Sequence, residues 1–292
     1  MRIWTTGLHN HITHTFTEGD ILHSFHTVIN DYDIDESKTI HDIFKEHLDG
    51  KSNIQVLYSG GLDSEATILS CLHNNIPVEA LTMRLLRNGM PFNTHDLYYS
   101  EKFCREHNVK QVLVDLDADK FFENGDHIKY LEPYKITQPH VASHFWLLEQ
   151  SDKFKVFGGD YPWIVTQNNP RTINPFKSSY HMYDLYMRDN NMNGIGNMLG
   201  YSLESCVKFM RKHVDLIENR QFTSTHATIG LYKHTMYNEL GFNIPEARFR
   251  GYGWEHVGIL GIAMFKVTND LITRFGATDN TIEYGNIFGQ FL

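Results

Sequence analysis

The residues best suited to chemistry stand together at Ser59-Gly60-Gly61-Leu62-Asp63-Ser64, directly after the apolar run Ile54-Gln55-Val56-Leu57-Tyr58. Binding a phosphate requires backbone N–H groups presented closely, next to a helix N-terminus. Gly60 and Gly61 supply the steric freedom, and a helix expected from Ser64 supplies the positive end of its dipole. Ser59 and Ser64 carry hydroxyls that can donate to phosphate oxygens. Asp63 would be repelled by bare phosphate, so its presence predicts Mg2+ between it and a nucleotide. The loop is not of the Walker type, since no G-x-x-x-x-G-K-S/T occurs and no lysine lies within the turn. The plainer alternative is a β–α turn in which Asp63 or Ser64 merely caps the helix.

The segment 59–64 resembles the PP-loop signature of the N-type ATP pyrophosphatases: asparagine, GMP, NAD and argininosuccinate synthetases and the deazaguanine synthases. With leucine before the aspartate, it looks closest to the synthetase domain of asparagine synthetase. The resemblance implies cleavage of ATP between its α and β phosphates, with Mg2+ bound. An acceptor oxygen of a carboxylate or amide takes AMP, and a nitrogen or sulfur nucleophile then displaces it. It also implies a cofactor site over Ser59, Gly60, Gly61, Leu62, Asp63 and Ser64, with Asp63 both catalytic and a metal ligand.

Two later segments extend the comparison. Phe157-Gly158-Gly159-Asp160 lies where asparagine synthetase-like enzymes carry a glycine-rich acidic loop near pyrophosphate. Asp160 is thereby a candidate second metal or substrate contact and Gly159 a site of close backbone approach; an ordinary turn is the alternative. Lys233-His234-Thr235-Met236-Tyr237, followed by Arg248 and Arg250, is similar to a basic stretch in phage-type PP-loop proteins. Lys233 and Arg250 are candidates to stabilise phosphate charge as the bond breaks, against the alternative of solvated basic residues. The family commonly holds adenine by backbone at the end of the second strand, which falls here on Leu81, Thr82 and Met83.

The departures from the family are informative. Residue 2 is Arg2 and the first cysteine is Cys71, so the glutaminase nucleophile of glutamine-dependent asparagine synthetase is missing. Ammonia must then be free or delivered by a separate donor. Three dispersed cysteines, Cys71, Cys104 and Cys206, cannot supply the zinc cluster of the deazaguanine synthases or the reactive pair of the tRNA thiolases. Two rival readings are an adenylyl-sulfate reductase-like enzyme, which needs a redox cysteine near the C-terminus, and a non-catalytic nucleotide-binding protein. Against the second, a purely binding role has less need of Asp63.

The elements that must position these residues alternate. A helix capped by Ser37 and ended by Gly50 precedes a strand at 54–58 and a helix from Ser64 to Asn74. A strand at 78–83, a helix at 95–107, a strand at 111–116, a helix after Pro139 and a strand at 155–157 follow. This predicts an α/β fold, a Rossmann-like (adenine nucleotide alpha-hydrolase-like) parallel sheet with helices on both faces. Ligands then bind along the edge where the strands end. The expected organisation is an N-terminal extension at 1–50, the ATP-binding domain at 51–170, and a helical C-terminal region at 171–292 that completes the active site. In that last region 180–217, 224–240 and 255–274 read as helical.

Other groupings carry less. His9, His11 and His14, and His23 with His26, have no acidic or cysteine partner to complete a metal set. Gly194-Ile195-Gly196 with Gly200 lacks the preceding strand of a dinucleotide loop. Tyr180, Tyr183 and Tyr186 at helical spacing point to packing, whereas Tyr161 and Trp163 beside Asp160 are placed to line a pocket. The 41 % hydrophobic residues in 292 allow a substantial core, and the net charge of −9 argues against a broad nucleic-acid surface. No stretch approaches the ~20 apolar residues of a membrane span. A cytoplasmic protein acting on a small-molecule acceptor is expected, and a homo-oligomer is compatible with the sequence.

Overall fold

Ile54–Leu57 (β4) is buried along its whole length, as a strand must be when helices cover both faces of its sheet. In the computed structural model of the chain it runs parallel to Val78–Arg87 (β5) on one side and Phe154–Phe157 (β8) on the other. The structure describes residues 35–161, 179–202, 204–209, 211–212, 226–248 and 258–276, and the strands at 2–6, 12–16, 26–29, 163–165 and 172–174.

Before β4 lie an antiparallel sheet of Arg2–Thr6 (β1), Ile12–Phe16 (β2) and His26–Ile29 (β3) and the helix Ile40–Leu48 (α1). The β-branched content of β2 and β3 suits strands, a signal masked by the many histidines among them. Helix α1 is capped by Thr39, not Ser37. The Thr39 side chain accepts from the Asp42 N–H, and Asp42 accepts from the Thr39 N–H.

After β4 come Leu62–His73 (α2), β5, Met90–Pro91 (β6), Thr94–Glu106 (α3), Lys110–Asp117 (β7), Ala118–Glu123 (α4), Ile128–Leu131 (α5) and Pro139–Leu148 (α6). Beyond β8 are the hairpin strands Trp163–Val165 (β9) and Thr172–Asn174 (β10), the helix Ser179–Asp189 (α7), the strand Gly194–Ile195 (β11), and the helices His226–Glu239 (α8) and Gly258–Phe275 (α9). The main sheet runs β11-β8-β4-β5-β7, all parallel, with β6 antiparallel against the end of β5. The fold is the expected helix-covered α/β sheet.

Three details differ from expectation. Strand β5 continues to Arg87 because Asn88 and Gly89 both take positive φ, 49° and 75°, and turn the chain back as a tight hairpin. The stretch 180–217 is not one helix: α7 ends at Asp189, and Gly194–Ile195 pairs with Lys155 and Val156. The sheet therefore extends past residue 170, and the glycines at 194–196 belong to a strand and its exit.

Each face of the sheet has its own core. Residues of α1, α2, α3, the stretch 198–209 and the segment 232–244 pack on one face, around Phe44, Ile68, Phe103, Phe209 and Tyr237. Helices α4 to α7 and α9 contribute to the other, around Leu131, Phe145, Tyr183 and Leu271. Tyr183 and Tyr186 lie in that second core, stacked on Phe157 and Phe145, as their spacing predicted. The chain steps from β4 outward to β5 and β7, then returns to place β8 on the other side of β4. The strand order reverses between β4 and β8, and in open α/β sheets the crevice beyond such a point is where ligands bind.

Candidate functional site

Both glycine loops open at that reversal point. Gly60 has φ +81°, and a Cβ there would lie 2.3 Å from the Asp96 carbonyl oxygen at the start of α3. Only glycine fits. Gly61 stands at the N-cap of α2, so the helix begins two residues earlier than expected and Asp63 sits in its first turn. Ser59 Oγ accepts from the Gly61 N–H at 3.3 Å, and Ser64 Oγ donates to the Gly61 carbonyl at 3.1 Å. Leu62 is buried in the core beneath.

The second loop presses against the first. A Cβ on Gly158 would come within 2.7 Å of the Asp63 carbonyl carbon and the Ser64 nitrogen. Gly159, with φ +75°, leaves room for Asn197 alone: a Cβ would lie 1.7 Å from Asn197 Oδ1. That oxygen accepts from the N–H groups of Asp160 and Gly200 at 3.0 and 3.1 Å. Asn197 thus fixes the turn that presents Asp160.

The two loops meet at Lys233 on α8. Its Nζ lies 2.6 and 2.7 Å from the two carboxylate oxygens of Asp63 and 3.0 Å from Asp160 Oδ1. Tyr237, one helical turn further along α8, donates its hydroxyl to Asp63. The sequence therefore brought Asp63, Asp160 and Lys233 to one point from three distant segments. Burial, reinforced by the charge of Asp160, raises the Asp63 carboxyl above its ordinary value against the pull of Lys233. Burial opposes charge on Lys233, but Asp160 and Asp63 outweigh it and hold its pKa above the usual lysine value. Tyr237 is pushed well up by burial and by the same two carboxylates, so it remains a hydroxyl donor.

Below the loop lies a second polar assembly that the sequence did not signal by spacing. Glu65, fully buried on α2, accepts from Tyr58 Oη at 2.8 Å and from Arg248. Arg248 also donates to the Gly60 carbonyl, and its guanidinium lies 4.5 Å from the centre of the Tyr99 ring. Burial raises the Glu65 carboxyl despite Arg248. One signal was available: Glu65 interrupts the apolar face formed by Leu62, Ala66 and Ile68, and a buried acid demands a partner. A cavity of about 290 Å3 opens beside Arg248, between Tyr99 and Phe103 of α3 and Pro245.

Other expectations are placed differently. Thr82 and Met83 are mid-strand and not at a strand end. Thr82 Oγ1 donates to the Tyr58 carbonyl, and the Met83 carbonyl already accepts from Asn93 Nδ2 at 2.9 Å. Tyr161 does not line an open pocket: it is buried, stacked on Phe209 and bonded to Ser205. Arg250, the side chains of Trp163 and Tyr180, and the N-terminal histidine side chains lie outside the described residues. Among the described residues no group of three or more His, Cys, Asp and Glu side chains gathers as a metal cluster, and no helix is long and apolar enough to cross a membrane.

No family model and no curated protein matches this sequence. Among solved structures, it is similar to an NH3-dependent NAD synthetase from Campylobacter jejuni, at 15 % identity and TM-score 0.32, over 83 % of this chain and 96 % of that one. It is also similar to an NMN synthetase from Francisella tularensis, at 10 % identity and TM-score 0.31, over 82 % and 93 % of the two chains. A U34-tRNA thiolase from Methanococcus maripaludis gives 11 % identity and TM-score 0.31, over 84 % and 81 %. At these scores none of them assigns an activity or a residue to this chain.

Proposed function

We propose that the chain is an ATP pyrophosphatase-type enzyme that transfers AMP from ATP to an acceptor oxygen. The observation that carries this reading is the convergence of Asp63 and Asp160 on one cationic point, at the mouth of a glycine loop that begins a helix. Two carboxylates aimed at a common point, with phosphate oxygens to complete the shell, are a donor set that suits Mg2+. Asp63 and Asp160 would hold the ion, which would supply charge neutralisation to the β and γ phosphates.

In this reading Ser59, Gly60, Gly61, Leu62 and Ser64 bind the phosphates by loop amides and hydroxyls at the α2 N-terminus. An acceptor carboxylate or amide oxygen attacks the α-phosphorus and the bond to the bridging oxygen of the β-phosphate breaks. Pyrophosphate leaves, its charge met by the Lys233 ammonium. Ammonia or another nucleophile then displaces AMP from the acyl or imidoyl adenylate. A carboxylate acceptor is already anionic, so this step needs no general base. Asparagine synthetase-like chemistry with free or separately delivered ammonia is the form the loop sequence favours. Cysteine-based reduction or thiolation is disfavoured, because all three cysteines are buried and burial pushes the Cys71 and Cys104 thiols up to about 12.

The test is incubation with Mg2+ and α-labelled ATP, alone and with pools of amino acids, nucleobases and ammonia, with Asp63→Ala as control. AMP and pyrophosphate that disappear in the variant are expected. ATP binding without AMP under any pool would leave a nucleotide-binding protein in place of the enzyme.

A further inference from the structure

We propose that Arg248 is a positioning residue that sets the orientation of the Gly60–Gly61 peptide, and so aims the Gly61 N–H into the phosphate loop. The proposal rests on the reading of 59–64 as a phosphate-binding loop. A trans peptide points its C=O and N–H in opposite directions, and the chain has no cis bond among the described residues. Arg248 grips the Gly60 carbonyl from below the loop. The N–H of Gly61 therefore points to the opposite side, where Ser59 Oγ, itself a candidate phosphate contact, accepts it at 3.3 Å.

This peptide lies between two glycines, so little steric hindrance resists its rotation. A flipped peptide would present a carbonyl oxygen to the phosphates in place of an amide. The guanidinium is well placed to prevent that. Arg248 is 7 % exposed, and its guanidinium is held on Glu65 by an ion pair and backed by the Tyr99 ring at 4.5 Å. Glu65 is itself fixed by the Tyr58 hydroxyl at 2.8 Å. A planar fork can hold the Glu65 carboxylate and the Gly60 carbonyl together, which a lysine ammonium cannot do in the same geometry.

The test compares inorganic pyrophosphate binding, by calorimetry with Mg2+, in the full chain and in Arg248→Ala and Glu65→Gln, with melting temperatures for each. R248A is expected to bind pyrophosphate roughly tenfold more weakly or worse. E65Q, which leaves the guanidinium on Gly60, is expected to melt lower yet keep near-wild-type affinity. Equal affinity in R248A, or losses in both variants that simply track melting temperature, overturns the proposal. A wild-type chain that does not bind pyrophosphate overturns the phosphate-loop reading itself, and the proposal with it. Should R248A not fold, Arg248→Lys decides. In 15N-glycine-labelled R248K the Gly61 amide resonance should broaden or double and then sharpen on adding pyrophosphate. A single sharp resonance matching wild type overturns the proposal.

Discussion

Lys233 Nζ stands 2.6 Å from Asp63 Oδ1, so a helix far along the chain supplies the counter-ion of the first turn of α2. The same ammonium reaches Asp160 and holds together two acidic loops that would otherwise repel each other.

Replacing Lys233 by methionine leaves the two carboxylates facing each other without their cation. The expected loss is about 2 kcal/mol, below the ~3–5 kcal/mol of a fully buried pair, because the Asp63 side chain keeps 29 % exposure. Mg2+ should raise the melting temperature of K233M more than that of wild type. Thermal melts with and without the ion measure this, and an equal response in both proteins would remove Asp63 and Asp160 as joint ligands.

Gly158→Ala introduces a Cβ 2.7 Å from backbone atoms of Asp63 and Ser64. Neither is the end of a flexible side chain, so the loops must part. A stability loss on the order of 2–3 kcal/mol and weaker pyrophosphate binding are expected together. Denaturant unfolding beside calorimetry reads both.

Breaking the Glu65–Arg248 pair one side at a time should cost more than removing both. Glu65→Leu strands a buried guanidinium and Arg248→Met strands a buried carboxylate, each at a cost of roughly 3–5 kcal/mol. The E65L/R248M double variant should be clearly more stable than the sum of the single losses predicts. Additive losses would mean that the two side chains do not depend on each other.

Asp184 on α7 provides a pH test away from the loops. Burial raises its carboxyl to about 7, although the Gly196 N–H pulls it down. The folded state then holds a proton that the unfolded chain releases near 4, so this group costs stability as pH rises from about 4 to 7, and the cost is constant above that. Asp184→Asn should melt ~3 °C or more above wild type at pH 8 and converge with it near pH 4. A constant difference across that range would contradict the shift.

Much of the glycine loop at 59–64 and its flanks is readable because its signals are local. A buried strand, two glycines and an acid at the start of a helix are contiguous, and the alternation of strands and helices through 157 fixed the sheet. Lys233 and Asp160 are nameable only through resemblance, since nothing local says that two residues 73 positions apart will form an ion pair. Arg248 is named in the sequence only as a member of a basic stretch, and Asn197 not at all, because the Gly60 carbonyl and the Asp160 and Gly200 amides that they bond leave no pattern in a sequence. The hairpin at Asn88-Gly89 was legible in principle as a tight turn, and missing it ended β5 too early and misplaced Thr82 and Met83. The β1–β3 sheet was hidden because its strands are only five, five and four residues long and carry polar residues throughout.

The early end of β4 divides the crevice into two unlike banks. Past Leu57, the exposed edge of β5 is closed by its own chain: Phe92 donates to the Leu85 carbonyl, and Asn93 bonds both Leu85 and Met83. On the other side β8 stops level with β4 and gives way at once to the Gly158–Asp160 turn, held by the Asn197 side chain, by the N–H groups of Met198 and Leu199 on the Phe157 and Gly158 carbonyls, and by Lys233 on Asp160. One bank is an inextensible wall built into the sheet. The other is a turn outside any strand, packed through Gly158 against the backbone of Asp63 and Ser64. A change of chain length is therefore taken up outside the strands on the β8 bank, whereas on the β5 bank it would break the β5–β6 register.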